Sequence, residues 1–487
     1  MTLKFGTSGV RGLVTEMTDR ECYLYAKAFA RYLKAKASAT NVALAGDRRN
    51  STPRIMRAVA FALREEGLAV VFCGKIATPA VMNHGLMNGM ASIMVTGSHI
   101  PDDRNGIKFN MPWGEVLKGD EKEISGHYRT LTGDGAGGQL GGPFDADGAF
   151  APGTAADTGS PDPEGEQAYI RRYLEFFQGD CLAGAKAAFY EHSSVSRDVL
   201  PTILSRLGAE VIPVGRSESF VPVDTEAIEE PDRLAAWVLE HGADALLSTD
   251  GDGDRPLVVD ESGKVVRGDV LGILVAGFFE ADAVSTPVSC NTALEKSDRF
   301  AHCRRTRIGS PYVIASMDEA VRAGCRAVVG YEANGGFLTA SELRDPETGK
   351  ILSPLPTRDA ALPIVAFLLS ARRRGCKPSA LVDELPARFT ASGLLRGFPN
   401  EQGKALVARF EERGETFADE LFSGAFGEVS AMDFTDGARM AFVSEDIVHL
   451  RPSGNAPEFR CYTEAGSEEQ ALRNNEIALG IVKELKE

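Results

Sequence analysis

The sequence lacks any apolar run near the roughly 20 residues that a membrane helix needs. Its opening segment, MTLKFGTSGVRG, has no apolar signal core, so the cytoplasm is the expected compartment. It also lacks paired cysteines. Eight are present (Cys22, Cys73, Cys181, Cys290, Cys303, Cys325, Cys376 and Cys461), none at C-x-x-C spacing and none clustered with histidine. That excludes the usual zinc patterns and reads as buried free thiols in a reducing compartment. Basic residues are in deficit: 53 Lys+Arg stand against 69 Asp+Glu, a formal net charge of -16. Nucleic acid and anionic membrane are thereby excluded as main partners, because both call for basic surface. A small anionic substrate is not excluded, since a few arginines focused in one cleft can hold it.

The chain has 487 residues, 43% hydrophobic and 25% charged, which suits three or four globular domains. Its first 130 or so residues alternate between helical and strand-like patterns. TDRECYLYAKAFARYLKAKAS reads as a helix capped by Thr18, NVALAGD as a strand, and STPRIMRAVAFALREEG as a helix with a capping Ser or Thr before Pro53. LAVVFCG and ASIMVTG are further strands. Such alternation predicts a parallel sheet with helices on its faces and chemistry just past the strand C-termini. Residues 132–163 are rich in Gly, Ala, Asp and Pro and read as a surface loop or interdomain connection that contributes no core. A second α/β unit runs through KAAFYE, EVIPVG and DALLST. A third opens at GDVLGILVAGFFEADA, includes RAVVGYE and closes on a helix expected over TRDAALPIVAFLLSARRRG. The remainder reads as α+β.

Five loops carry candidate chemistry. STDGDGDRPLVV places Asp250, Asp252 and Asp254 at alternate positions after an apolar strand, where mutual repulsion is relieved by a hard cation. A calcium EF-hand is the rival, with Glu261 at its twelfth position. Its sixth position, which needs glycine, is Arg255, and the flanks are strands. A solvated acidic turn is the bland alternative. In VTGSHIPDDRNGIKF, Ser98 and His99 follow a strand end; a lone loop serine is structural more often than catalytic, and use of His99 as its base needs spatial partners that sequence does not show. FGTSGVRG surrounds Arg11 with small residues, as a phosphate-cradling turn or an irregular strand end would. VVGYEANGGFL presents Glu332 and Asn334 beside two glycines, suited to sugar hydroxyls or to a plain hairpin. HLRPSGNAPEFRCY gathers Arg451, Ser453, the backbone of Gly454, Asn455 and Arg460, with Glu458 the one local carboxylate, and matches a phosphate monoester.

Together and in this order, from Phe5 to about Ala465, these loops resemble the α-D-phosphohexomutase superfamily, most closely bacterial phosphomannomutases and phosphoglucomutases. The resemblance implies three consecutive mixed or parallel-sheet α/β domains plus a smaller C-terminal α+β domain around a central cleft. The expected divisions are 1–160, 161–266, 267–387 and 388–487. It implies interconversion of hexose 6-phosphate and hexose 1-phosphate through a phosphoserine and a hexose 1,6-bisphosphate, which also serves as activator. It further implies one Mg2+ per site and a monomer or homodimer. Ser98 then carries the phosphoryl group and completes the ligand set of Asp250, Asp252 and Asp254. His99, Lys108, Arg11 and Arg255 are the catalytic surroundings. Glu332 and Asn334 meet the sugar, and Arg451, Ser453, Gly454, Asn455 and Arg460 grip the phosphate that is not reacting.

The sequence departs from the family pattern in four places. TGSHIP replaces T-A-S-H-N-P, Asn334 replaces a serine, SGNAP replaces SGTEP, and Ser310 stands where several relatives carry histidine. The alternatives are a phosphoglucosamine mutase, a metal-dependent sugar phosphatase and a non-catalytic sugar-phosphate sensor.

Overall fold

The computed structural model describes residues 3–6, 9–133, 143–154, 157–453 and 457–485. Four main sheets follow one another along the chain. The first is mixed: strands Asn41–Gly46, Ala69–Gly74 and Ala91–Val95 are parallel, and Arg104–Met111 joins them antiparallel to Gly9–Leu13. Around it pack helices Asp19–Lys36, Thr52–Glu65 and Thr78–Met87. In the second sheet, Lys186–Tyr190, Glu210–Val214 and Ala245–Thr249 are parallel, and Ala245–Thr249 turns back antiparallel into Pro256–Asp260. The third combines parallel strands His302–Thr306, Ala283–Pro287 and Val328–Tyr331 with antiparallel Phe337–Thr339 and Leu355–Asp359. The fourth, from Phe389–Arg396 to Glu458–Ala465, is wholly antiparallel and carries helices Asn400–Phe426 and Glu468–Glu484.

The expected cap of the first helix is in place: Thr18 Oγ1 accepts the Glu21 N–H at 3.2 Å. The second helix differs. Ser51 precedes it without capping it, and Thr52 Oγ1 donates instead to Asp47 at 2.5 Å. Asp47 is fully buried, and an unsatisfied buried carboxylate costs more than an uncapped helix end.

Two expectations need correction. Within 132–163, residues 143–154 form no bare loop. Phe144 and Phe150 stack at 5.0 Å and pack against the first unit's core, while Asp19 accepts the Phe150 N–H at 2.9 Å. The aromatics were diluted by glycine in the composition, but burial needs only the pair. The second correction matters more for the site. The helix expected from Thr357 begins at Ala361, and Leu355–Asp359 is a strand. Pro356 biases Leu355 toward extended backbone, and pairing with Phe337–Thr339 fixes the rest. This shift turns Arg358 into the cleft.

A single apolar cluster runs from Ala43 and Met94 through Phe189 and Leu247 to Phe367, joining the first three units. The fourth has its own, built on Phe410, Phe422, Met440 and Phe459. No described helix is long and apolar enough to cross a membrane.

Candidate active site

The four units enclose a cleft of about 680 Å³. Its lining includes Arg11 and His99 from the first unit, Arg255 from the second, and Glu332 and Arg358 from the third. Arg451 comes from the fourth. The floor lies at the C-terminal ends of parallel strands, where an α/β sheet leaves backbone dipoles and loops free for chemistry.

Ser98 follows strand Ala91–Val95 and holds a left-handed backbone, φ 58°, which costs a non-glycine residue energy and persists only where its surroundings hold it. Those surroundings are explicit. Ser98 N–H donates to Thr96 Oγ1 at 2.8 Å, and Arg49 Nη2 donates to Ser98 O at 2.9 Å. Arg49 also donates to Pro101 O (2.6 Å) and to buried Asp47 (3.1 Å), and it stacks on Phe220. A Cβ at Gly97 would lie 2.6 Å from the Arg49 guanidinium carbon. The glycine in TGSHIP therefore makes room for the arginine that clamps the loop. Neither Arg49 nor Asp47 was singled out from sequence; GDRRNS carries no motif that distinguishes them.

The turn of hairpin Ala245–Thr249/Pro256–Asp260 brings Asp250, Asp252 and Asp254 together, all fully buried, with one oxygen of each within 4.8 Å of the others. Ser98 Oγ donates to Asp250 Oδ2 at 2.5 Å across 152 residues of chain. Lys108 Nζ lies 2.6 Å from Asp252 and 2.9 Å from Asp254, and Thr78 Oγ1 donates to Asp252 at 2.7 Å. Glu261, the residue an EF-hand would use, lies in a turn and instead accepts the Ser379 N–H of helix Pro378–Asp383.

Burial, then repulsion from Asp252 and Asp254, pushes Asp250 well above the carboxylate range. Burial acts the same way on Asp252, but Lys108 and Thr78 hold it below that range. Burial likewise opposes ionisation of Asp254, and Arg358 and Lys108 overcome it. Burial opposes the charge on Lys108, yet Asp252 and Asp254 raise its pKa, so Lys108 is a cation in this arrangement. Burial and then Arg255 and Arg11 take His99 down to about 2. Arg255 Nη1 lies 2.7 Å from His99 Nδ1, which stands 3.3 Å from Ser98 Oγ. Burial and neighbouring Arg255 and Arg358 lower Arg11 to about 10.

Asp252 Oδ1 and Asp254 Oδ1 are buried without a hydrogen-bond partner among the described residues. Unfilled carboxylate oxygens in a triad of hard donors fit a divalent cation. On the cleft's other side, Arg451 Nε and Arg460 Nε are buried donors without a hydrogen bond among the described residues. Among the described residues, Arg451 Nε is paired with Asp436, 3.6 Å away. Asp436 in turn accepts the Ile308 N–H of the third unit at 3.0 Å, beside Arg307 Nε donating to Thr435 O at 2.9 Å. Ser453 lines the same wall; Gly454 and Asn455 lie outside the described residues. Glu332 is buried against Arg358 at 3.0 Å. The Asn334 carbonyl accepts from Thr225, while its side chain accepts the Gly336 N–H. Ser310 Oγ donates to buried Glu115 at 2.9 Å.

Fold and cleft define a phosphoryl-transfer enzyme: carboxylates that suit a cation at one end, arginines that suit an anion at the other. Three family descriptions match the chain. Phosphoglucomutase/phosphomannomutase alpha/beta/alpha domain I covers residues 2–133, domain II residues 167–263 and domain III residues 267–389. The chain is 40% identical to a phosphomannomutase of Salmonella muenchen over 99% of its own length and 96% of that protein's. It is 43% identical to a phosphomannomutase of Sinorhizobium fredii over 96% of each. A phosphoglucosamine mutase of Ruegeria is more distant, 29% identical over 77% of the chain and 80% of that protein. A Thermus thermophilus structure described as a putative phosphomannomutase superposes with a TM-score of 0.75 at 21% identity, covering 99% of both chains. The chain belongs to the phosphoglucomutase/phosphomannomutase family of the α-D-phosphohexomutase superfamily and is an intramolecular phosphotransferase.

Proposed function

We propose that this phosphohexomutase interconverts mannose 6-phosphate and mannose 1-phosphate, with glucose phosphates as second substrates, through a phosphorylated Ser98 and a hexose 1,6-bisphosphate. The observation that carries the reading is Ser98 Oγ, held 2.5 Å from Asp250 inside the carboxylate triad and below the cleft. Two phosphomannomutase relatives at 40% and 43% identity support mannose over glucosamine.

The hexose hydroxyl attacks the phosphorus on Ser98 Oγ. The new O–P bond forms as the Ser98 Oγ–P bond breaks, and the hydroxyl proton ends on Ser98 Oγ. When Mg2+ is held by Asp250, Asp252 and Asp254, it offsets the charge of the transferring group. Lys108, hydrogen-bonded to Asp252 and Asp254, stands beside the reacting oxygens, where it stabilises charge or takes the proton of the attacking hydroxyl. Arg255 keeps the His99 ring in place through Nδ1 and stands against the phosphoryl oxygens. Glu332 and Asn334 orient the sugar. Arg451, Ser453, Gly454, Asn455 and Arg460 hold the phosphate that is not reacting while the bisphosphate turns over. Four units dividing near 160, 266 and 387 belong to this reading. The apolar core of the fourth is separate, which suits a part that moves over the cleft.

The test is one coupled assay on mannose, glucose and glucosamine 6-phosphates with a trace of hexose 1,6-bisphosphate. Isomer is expected from mannose and glucose phosphates, and protein mass should show one phosphate that is lost to excess substrate. Release of inorganic phosphate without isomer would establish a phosphatase, and no turnover at all would favour a sensor.

A further inference from the structure

The cleft holds a cation that no motif announced. Arg358 Nε donates to Asp254 Oδ2 at 3.1 Å, its Nη2 lies 3.0 Å from the same oxygen, and its Nη1 donates to Glu332 Oε2 at 3.0 Å. All three side chains are buried. One guanidinium thus joins the carboxylate triad of the second unit to the glycine-rich loop of the third.

The surroundings are built for it. A Cβ at Gly336 would meet Arg358 Cδ at 2.5 Å and Cγ at 2.6 Å, so the second glycine of YEANGGF is the space through which the arginine stem passes. Both chain neighbours of Arg358 are anchored. Thr357 Oγ1 donates to buried Glu115 at 2.7 Å, and Asp359 accepts from the hydroxyls of Tyr169 and Tyr173. Glu115 is held from its other oxygen by Ser310, at the start of helix Ser310–Arg322. A side chain fixed on every side is placed before substrate arrives.

We propose that Arg358 is a positioning residue that ties the sugar-facing carboxylate Glu332 to the cation-binding carboxylate Asp254, and so trades cation affinity for sugar affinity. This rests on the roles given above to Glu332 and the triad. The guanidinium occupies Glu332 Oε2, which leaves Oε1 in one defined orientation for sugar hydroxyls. The same positive charge stands against Asp254 and opposes a second cation there. Loss of Arg358 frees Glu332 to rotate and weakens sugar binding. It also raises the net negative charge of the triad and tightens cation binding. A purely structural arginine would weaken both when removed.

The experiment compares wild type, Arg358→Gln and Arg358→Lys by titration calorimetry with Mn2+ alone and by steady-state kinetics on mannose 1-phosphate. Arg358→Gln should raise KM about tenfold with a smaller change in kcat, and bind Mn2+ about threefold or more tightly. Arg358→Lys keeps the charge without the fork. Its Mn2+ affinity should stay within about twofold of wild type while KM stays raised. Gly336→Ala, which displaces the arginine stem, should raise KM in the same direction. Weaker Mn2+ binding by Arg358→Gln, or an unchanged KM in both arginine variants, overturns the proposal. Absence of Mn2+ binding by wild type would instead defeat the triad's assignment, and KM would then decide the tie to Glu332. If Arg358→Gln fails to fold, Arg358→Lys carries the KM comparison.

Discussion

The floor and the far wall of the cleft are opposites in charge and in construction. At the floor, unfilled acceptors remain: Asp252 Oδ1 and Asp254 Oδ1. At the wall, donors remain unfilled among the described residues: Arg451 Nε and Arg460 Nε. The floor is wholly buried and closely bonded, with Lys108, Thr78, Ser98 and Arg358 all within 3.1 Å of a triad carboxylate. The wall is looser: the Arg460 side chain is 42% exposed, and its ion pair with Glu458 spans 3.7 Å. The floor sits on the core shared by three units, the wall on a core of its own. On the proposed reaction, the contrast makes bond-making preorganised and gripping adjustable. An intermediate that turns over between two orientations would need such an adjustable wall.

The sharpest way to break this division is at the floor. Ser98→Ala should fold and lose activity by at least on the order of 10,000-fold, because the proposed cycle passes every transferred phosphoryl group through the Ser98 hydroxyl. Intact-protein mass should also lose its phosphorylated species. Near wild-type turnover would refute the serine's role. Asp252→Asn should cost on the order of a thousandfold in kcat, and a chelator should abolish wild-type activity until Mg2+ is returned. Full activity after thorough metal stripping would end that assignment.

At the wall the expected effects are smaller and of a different kind. Arg451→Ala should cost about 2–4 kcal/mol in kcat/KM, roughly 30- to 1000-fold. It should also release free hexose 1,6-bisphosphate, visible by phosphorus NMR. Equal release by wild type and variant would erase the distinction between wall and floor. Asp436→Asn removes the carboxylate paired with Arg451, which competes with phosphate, so KM should fall, by no more than about fivefold for a part-exposed pair. A raised KM would mean that its bond to Ile308 matters more than the competition.

The smallest effect compares two buried histidines. Burial takes His192, near the floor hairpin, down to about 4 despite its bond to Thr249 O. Burial takes His449, near the wall, down to about 4 despite its bond to Asp436 O. Their unfolded pKa is about 6.5. The unfolded chain therefore binds more protons between those values, and stability falls as pH drops through that window. Melting temperature measured from pH 7 to pH 4 should fall for wild type and less steeply for His192→Gln or His449→Gln. Identical slopes would remove histidine as the cause.

Much of this molecule could be read from residue order. Short apolar strands alternating with amphipathic helices predicted α/β units, because local periodicity reports which face is buried. The spacing of Asp250, Asp252 and Asp254 predicted that their carboxylates converge, because the glycines between them let alternate side chains turn to one side, and they do meet. Arg358, Arg49 and Asp436 could not be read. Each sits in an ordinary local sequence, and Arg358 lay in a stretch whose composition favours helix. Their roles come from partners far away in the chain: Asp254 lies 104 residues from Arg358, and Ser98 lies 49 from Arg49. Local sequence sets dihedral preferences and burial patterns. Only the packing of one unit against another decides which buried charge meets which, because a charge taken out of water is stable only beside a partner that folding has brought to it.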